Sequence, residues 1–192
     1  MTSILTTMIP PPGADDEALV LRARENRAAF AELYHRHFDR VYRYHMAHTG
    51  SQEEAQDLTA ITFLAAMESL PRYQPRASFA AWLLGIARHK VAMHYRSRKP
   101  VVPLDSALEI ADPTPSPEAL AARRLQGEQV SRALAGLSTE RAEAIRLCID
   151  SDLSAAEAGQ VLGKSAAAVK MLVHRGLKDL RNALLVSTVE EQ

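Results

Sequence analysis

Cysteine is almost absent from this sequence, which holds Cys148 alone among 192 residues. Neither a disulfide nor a cysteine-based zinc site can therefore form within the chain, and this fits the reducing cytoplasm. Long apolar runs are missing as well, since none approaches the ~20 residues of a membrane span. Residues 1–13 also lack the basic start of a signal peptide. We therefore expect a cytoplasmic protein without membrane insertion, in which Cys148 is a small core residue rather than a reactive thiol.

Aromatic residues are few, at 5%, whereas apolar residues make up 47% of the sequence. Much of that apolar content is alanine and leucine, which favour helices. The apolar positions recur at helical spacing, and no segment alternates as a strand would. These features predict an all-α fold with enough apolar side chains to build its cores.

Proline is concentrated in one place, because five of the ten prolines lie between Pro100 and Pro117. This stretch has no periodic pattern, which is typical of a linker. We therefore predict two small helical domains, at 14–99 and 117–185, joined by a Pro-rich linker at 100–116. Residues 1–13 are expected to form a flexible N-terminus and 186–192 a tail.

The net charge is zero, but cations are clustered in two segments. Seven Lys and Arg side chains and no acid lie between Arg72 and Lys99, and five lie between Lys164 and Arg181 against Asp179 alone. Two such patches suit two contacts with a polyanion such as nucleic acid. Charge clusters of this kind are also common on solvated helix faces, so the patches alone leave both interpretations open.

The N-terminal domain is predicted to hold four helices, at about 15–25, 27–49, 51–70 and 78–98. Gly50 should end the second, and Ser51 with Glu54 forms a capping box for the third. The apolar stripe of the third helix comprises Ala55, Leu58, Thr59, Thr62, Phe63 and Ala66. The C-terminal domain is also predicted to hold four helices, at about 117–135, 138–149, 154–162 and 165–185, with a second capping box at Ser154 and Glu157.

Residues 155–172 fit a helix-turn-helix. Gly159 provides the small residue that a tight helix crossing needs, and Gly163 tolerates the positive φ of the turn. Inward apolar positions follow on both helices, at Ala158, Leu162, Val169 and Leu172. An ordinary helical hairpin is the alternative, but the combined spacing favours DNA binding. The second helix would then lie in the major groove.

In two segments the chain resembles the sigma-70 family of bacterial RNA polymerase sigma factors, and within it the extracytoplasmic-function (ECF) class. The resemblance covers residues 14–99 and 117–185. The N-terminal motifs are Ala28-Ala29-Phe30, Leu33-Tyr34, Ala55-Gln56-Asp57-Leu58-Thr59, Thr62-Phe63-Leu64 and Phe79 to Arg88. The C-terminal motifs are Leu137-Ser138, Leu153 to Glu157, Val169-Lys170 and His174-Arg175.

The resemblance implies a protein that binds core RNA polymerase and promoter DNA, promotes strand opening, and is not itself an enzyme. An anti-sigma factor or another protein inhibitor is a further expected partner, and no cofactor is implied. The helix at 51–70 would bind polymerase, with Asp57, Leu58, Thr62 and Phe63 as the matching positions. The family usually has Gln-Glu where this chain has Ala60-Ile61.

Two further sets of positions carry the expected DNA contacts. The loop 72–78 and the following helix would recognise and open the −10 element, through Tyr73, Arg76, Ser78, Arg88, His89, Lys90 and Arg96. The C-terminal helix-turn-helix would read the −35 element, through Lys164, Ser165, Lys170, Met171, His174, Arg175 and Lys178. Opening a duplex needs a stacking platform and cations near the backbone. Tyr73 is the expected base contact, whereas Trp82 lies on the apolar stripe and is expected in the core.

Two other classes of protein fit the sequence less well. A conventional helix-turn-helix regulator with a sensor domain would have no need for the cations between 72 and 99. An enzyme is disfavoured because no phosphate loop or nucleophile motif is present. His45 and His48 could share a helix face, but no third ligand follows at metal spacing, so no metal site is expected.

Overall fold

The computed structural model describes residues 16–74, 77–97, 133–134 and 136–190, with side chains described through Leu184. Every regular element within these ranges is helical. None of the helices in the described part of the chain is long and apolar enough to cross a bilayer. The expected all-α fold with a helix-turn-helix is confirmed. The linker at 100–116 and most of the helix expected at 117–135 lie outside the described residues.

Four helices form the N-terminal domain: α1 (Asp16–Ala23), α2 (Arg27–Thr49), α3 (Gln52–Ser69) and α4 (Phe79–Ser97). Their ends follow local rules. The Asn26 side chain accepts a hydrogen bond from the Ala28 N–H, and Gly50 ends α2 with a φ of 65°. The Ser51 hydroxyl oxygen then accepts from the Glu54 N–H, which caps α3. A 3₁₀ turn, Leu70–Arg72, leads into the loop before α4.

The core of this domain is formed by the apolar stripes of its helices. The fully buried members of one apolar cluster include Leu33 and Val41 of α2 and Leu83 and Leu84 of α4. The buried stripe of α3 has the six members that the periodicity predicts. One buried polar pair joins α1 to α2, because His37 Nε2 lies 2.8 Å from an Asp16 carboxylate oxygen. That hydrogen bond is the main reason that the pKa of Asp16 lies below its ordinary value.

The C-terminal domain holds α5 (Thr139–Ile145), α6 (Ala155–Leu162) and α7 (Ala166–Glu190), and α5 continues as a π-helical turn, Arg146–Asp150. Both halves of the capping box form at Ser154 and Glu157. Gly163 takes the expected left-handed conformation, with a φ of 65°. Val169 and Ala158 are fully buried between α6 and α7, and Leu162 and Leu172 are partly buried beside them.

The two domains pack against each other. Helix α6 lies on α4, and the π turn lies on α2. Leu147 and Leu153 of the C-terminal domain belong to the same buried apolar cluster as Tyr44 and Leu33 of the N-terminal domain. The fold thus brings the helix-turn-helix next to the loop that precedes α4.

Candidate polymerase and promoter interfaces

Helix α3 presents one buried and one exposed face. Of the four positions matched to polymerase binding, Asp57 is exposed, whereas Leu58, Thr62 and Phe63 are buried in the core. The exposed face carries Ile61 and Leu64, which keep 46% and 56% of their surface in solvent. Exposed apolar side chains that share a helix face are suited to a protein contact, so this face is a candidate for one.

Sequence reasoning missed Ile61 and Leu64. In the family resemblance, Ile61 is only a departure from the usual Gln-Glu, and Leu64 is only a member of a motif. Their spacing does indicate a shared surface: Ile61 is four residues after Asp57, and Leu64 is three residues after Ile61. Positions three and four apart lie on the same helix face. The periodicity that predicts the buried stripe also predicts this opposite, exposed one.

The loop before α4 holds its tyrosine inside the protein. Tyr73 is 5% exposed, and its ring packs on Phe79 and Trp82 with centroids 6.0 Å and 4.8 Å away. The Tyr73 hydroxyl donates to the Ala77 carbonyl at 2.8 Å, and Arg24 donates to the Tyr73 carbonyl at 2.5 Å. In this conformation Tyr73 closes the loop and its ring is enclosed by its neighbours, and its contact with a base stays a prediction. Trp82, expected in the core, is partly buried.

The remaining −10 candidates lie along α4. Arg88, His89 and Arg96 are exposed, and Lys90 is partly exposed. The hydroxyl of Ser78, just before the helix, donates to Glu157 Oε1 of α6 at 2.7 Å. Arg88 Nε lies 3.5 Å from Glu143 Oε1 of α5. Arg76 lies outside the described residues.

The −35 candidates cluster around the start and the outer face of α7. Lys170, Met171, His174, Arg175 and Lys178 are all exposed on this helix. Ser165 accepts from the Ala168 N–H at 3.2 Å, so it caps α7. Lys164 Nζ lies 2.8 Å from a Glu140 carboxylate oxygen, which neutralises part of its charge. The outer face of α7 is therefore cationic and exposed to solvent.

Two family models match the chain. The model of Sigma-70 region 2 matches residues 33–101, and the model of Sigma-70, region 4 matches residues 127–180. The ECF RNA polymerase sigma factor BldN of Streptomyces coelicolor is 34% identical over 183 residues, covering 90% of this chain and 69% of that protein. The chain belongs to the ECF class of sigma-70 family sigma factors. It binds RNA polymerase and recognises promoters for the initiation of transcription.

Other relatives extend the comparison. This sigma factor is 34% identical to SigE of Mycolicibacterium smegmatis, over 80% of this chain and 60% of that protein. It is 30% identical to CnrH of Cupriavidus metallidurans, over 94% of this chain and 99% of that protein. The match to CnrH thus spans nearly the whole length of both proteins.

Solved structures share the fold. The structure of CnrH in complex with the cytosolic domain of CnrY superposes with a TM-score of 0.69 at 28% identity, covering 90% of this chain and 97% of that chain. The sigma factor RpoE of Bartonella quintana, solved with the anti-sigma factor NepR, superposes with a TM-score of 0.64 at 21% identity, covering 82% and 97%. The latter likeness concerns the fold alone.

Proposed function

We propose that the domain at 14–99 holds core polymerase through the exposed face of α3 and engages the −10 element through the loop and α4. The domain at 117–185 reads the −35 element through α7. The observation that carries this proposal is that each family region presents an outward face of suitable chemistry. An apolar stripe suits a protein contact, and a row of cations suits DNA.

In this proposal the −10 element is contacted by polar or cationic side chains on α4 or directly before it. They are Ser78, Arg88, His89, Lys90 and Arg96. They are suited to backbone phosphates and to the edges of unstacked bases. Tyr73 can join them only if its hydrogen bond to Ala77 opens. The sigma factor promotes strand opening through binding energy, works in the cytoplasm, and catalyses no reaction itself.

Transcription of a genomic promoter library by core polymerase, with and without this sigma factor, tests the proposal. We expect a defined set of transcripts whose start sites share two upstream elements. A Lys170→Ala variant should lose transcripts according to their −35 sequence, whereas Arg22→Ala, an equal loss of charge on an exposed part of α1, should not. No transcripts above those of core polymerase alone would contradict the proposal.

We also propose that a protein inhibitor binds this sigma factor, because the relative CnrH was solved in complex with the cytosolic domain of CnrY. Tagged sigma factor should co-purify from its own cells with a protein other than the polymerase subunits. That protein, once purified, should reduce transcription in the reconstituted reaction. A partner that leaves transcription unchanged would contradict this assignment.

A further inference from the structure

Two apolar side chains interrupt the cationic outer face of α7. Ala167 and Met171 are both exposed, and Met171 keeps 48% of its surface in solvent. They are four residues apart, and positions at this spacing share a helix face. Lys170 and His174 lie beside them and are exposed as well. The surface that the proposed function places in the major groove therefore carries an apolar strip among its cations.

The contacts of α7 with the rest of its domain set the direction in which this strip points. Val169 is fully buried. Gly176, seven residues later, is buried against α5, because a Cβ atom added there would lie 2.8 Å from Ile145 Cδ1. These two positions mark the inward side of the helix. At about 100° per residue, Ala167 and Met171 lie within about 30° of the opposite direction, and so they point away from the protein.

The charged side chains of the helix lie beside this direction or further along it. Lys170 and Arg175 leave α7 about 70° to either side of the outward direction. His174 and Lys178 point outward, but they lie about one and two turns beyond Met171. A recognition helix contacts base edges chiefly through residues near its N-terminus. The two outward positions in the first turns of α7 are thus both apolar.

The chemistry of the major groove indicates what such a strip can read. Every base pair offers hydrogen-bonding groups there, and a pair that contains thymine also offers the apolar 5-methyl group. Alanine is suited to contact with this methyl group, and the flexible methionine side chain adapts to apolar surfaces. We propose that Ala167 and Met171 read the 5-methyl groups of thymines in the −35 element. The proposal rests on the function proposed above and names a base chemistry that α7 selects.

The separation of the two side chains limits where these thymines lie. Four residues span about 6 Å along α7, whereas successive base pairs are about 3.4 Å apart. The two methyl groups should therefore lie within about two base pairs of each other, on the same strand or on opposite strands. Lys170 and Arg175 remain available for a base and a phosphate, because their side chains leave the helix at other angles.

Replacement of thymine by uracil tests the contact, because it removes the methyl group and leaves base pairing unchanged. The probes are fluorescein-labelled duplexes of a promoter returned by the library, in which the thymines of the −35 element are changed to uracil one at a time. Equilibrium binding of core polymerase carrying this sigma factor is then measured. We expect uracil to weaken binding about fourfold at one or two positions, the factor that corresponds to burial of one methyl group.

Variants of the two residues assign each position. Met171→Ala should lower the ratio of thymine affinity to uracil affinity from about four to about one at one position and leave the other unchanged. Ala167→Gly should do the same at the second position. Met171→Leu keeps an apolar side chain and should retain most of the effect. Each ratio compares two DNAs bound to the same protein, so any change in folding cancels.

Leu177→Ala is the matched control. Leu177 is 43% exposed on the same helix, but it leaves α7 about 90° from the outward direction. Its loss removes an exposed apolar side chain of similar size and should change none of the ratios.

The methyl group of 5-methylcytosine distinguishes the source of the contact. At the position that Met171→Ala identifies, cytosine should bind more weakly than thymine, and 5-methylcytosine should bind about fourfold more tightly than cytosine. If the wild type bound 5-methylcytosine more tightly than thymine, and Met171→Ala did not, thymine would not be the base that is read.

The remaining outcomes separate this proposal from the function on which it rests. A −35 element without thymine, or equal affinity for thymine and uracil at every position, would overturn the thymine contact. An effect of uracil that persists in both Met171→Ala and Ala167→Gly would also overturn it. A promoter that depends on Lys170 but is insensitive to uracil would leave the proposed function standing, whereas a library without any −35 element would refute that function itself.

Discussion

A Cβ atom added to Gly159 would lie 2.5 Å from the carbonyl oxygen of Lys164. The same two residues close the turn of the helix-turn-helix, since the Lys164 N–H donates to the Gly159 carbonyl at 2.9 Å. Because the obstruction is backbone, it cannot move aside without opening the turn. Glycine at this position is therefore a steric requirement of the helix crossing.

Gly159→Ala should destabilise the C-terminal domain by about 1–3 kcal/mol, as overpacking does. Gly85→Ala is the matched control on α4, because an added Cβ there meets nothing within 4 Å. That change should stabilise its helix by about 0.5–1 kcal/mol, since alanine is the better helix former. Urea unfolding followed by circular dichroism measures both. Equal effects of the two substitutions would contradict the crossing geometry.

Polymerase capture should depend on the exposed face of α3. Replacing Ile61 and Leu64 together by alanine should weaken binding to immobilised core polymerase about tenfold or more, as loss of apolar interface anchors does. The helical circular dichroism signal should not change, because both side chains are exposed. Leu21→Ala, at the 62% exposed Leu21 of α1, provides the control for loss of an apolar surface residue and should bind normally.

Leu58→Ala should instead act on stability, because Leu58 is 4% exposed in the core. A buried leucine replaced by alanine costs about 2–5 kcal/mol. Any loss of capture should then follow the unfolded fraction and recover at lower temperature. If Leu58→Ala has normal stability but captures less polymerase, Leu58 contacts polymerase directly.

Lys170 and Arg175 should make different DNA contacts. Their five-residue separation places them about 140° apart around α7. We expect one to read a base and the other to bind a phosphate. Alanine at the base contact should cost about 1–3 kcal/mol and relax specificity at one position, whereas alanine at the phosphate contact should weaken all sequences and flatten the salt slope by about one. Equilibrium binding to −35 duplexes at several salt concentrations measures both effects. If neither alanine variant changes the affinity, the specificity or the salt dependence, α7 does not read the −35 element.

Acid should destabilise the N-terminal domain through His45. Burial lowers the pKa of His45 from 6.5 to about 3, so the folded protein keeps this imidazole neutral. Below pH 6.5 the unfolded chain binds a proton that the folded chain does not, and stability falls until the pH reaches the folded pKa. Between pH 7 and pH 5 the loss should be about 2 kcal/mol.

His45→Gln removes this titration and can keep the polar contact that His45 Nε2 makes with Thr62 Oγ1 at 3.0 Å. The stability of the variant should therefore fall less between pH 7 and pH 5 than that of the wild type. The pKa of His48 is also lowered by burial, and His48 is present in both proteins. Parallel pH profiles of the two proteins in urea unfolding would contradict the assignment to His45.

The sequence by itself determined the helices and the helix-turn-helix, because these depend on neighbours in the chain. Ser154 with Glu157, Gly50 and Gly163 mark helix ends through hydrogen bonds and dihedral angles that lie within a few residues. The 3.6-residue period likewise fixed the buried stripe of α3. A motif match does not separate a contact residue from a core residue, and Leu58, Thr62 and Phe63, which match the polymerase-binding motif, are buried in this structure.

Only the tertiary structure decided the state of Tyr73 and the pairing of the domains. Tyr73 is enclosed because Phe79 and Trp82 pack on it, and its place in a Pro-bounded loop gave no sign of this. The hydrogen bond from Tyr44 to Glu143 joins residues 99 apart in the chain. No local pattern encodes such a contact, because it forms only when two surfaces that are distant in sequence match in shape and charge.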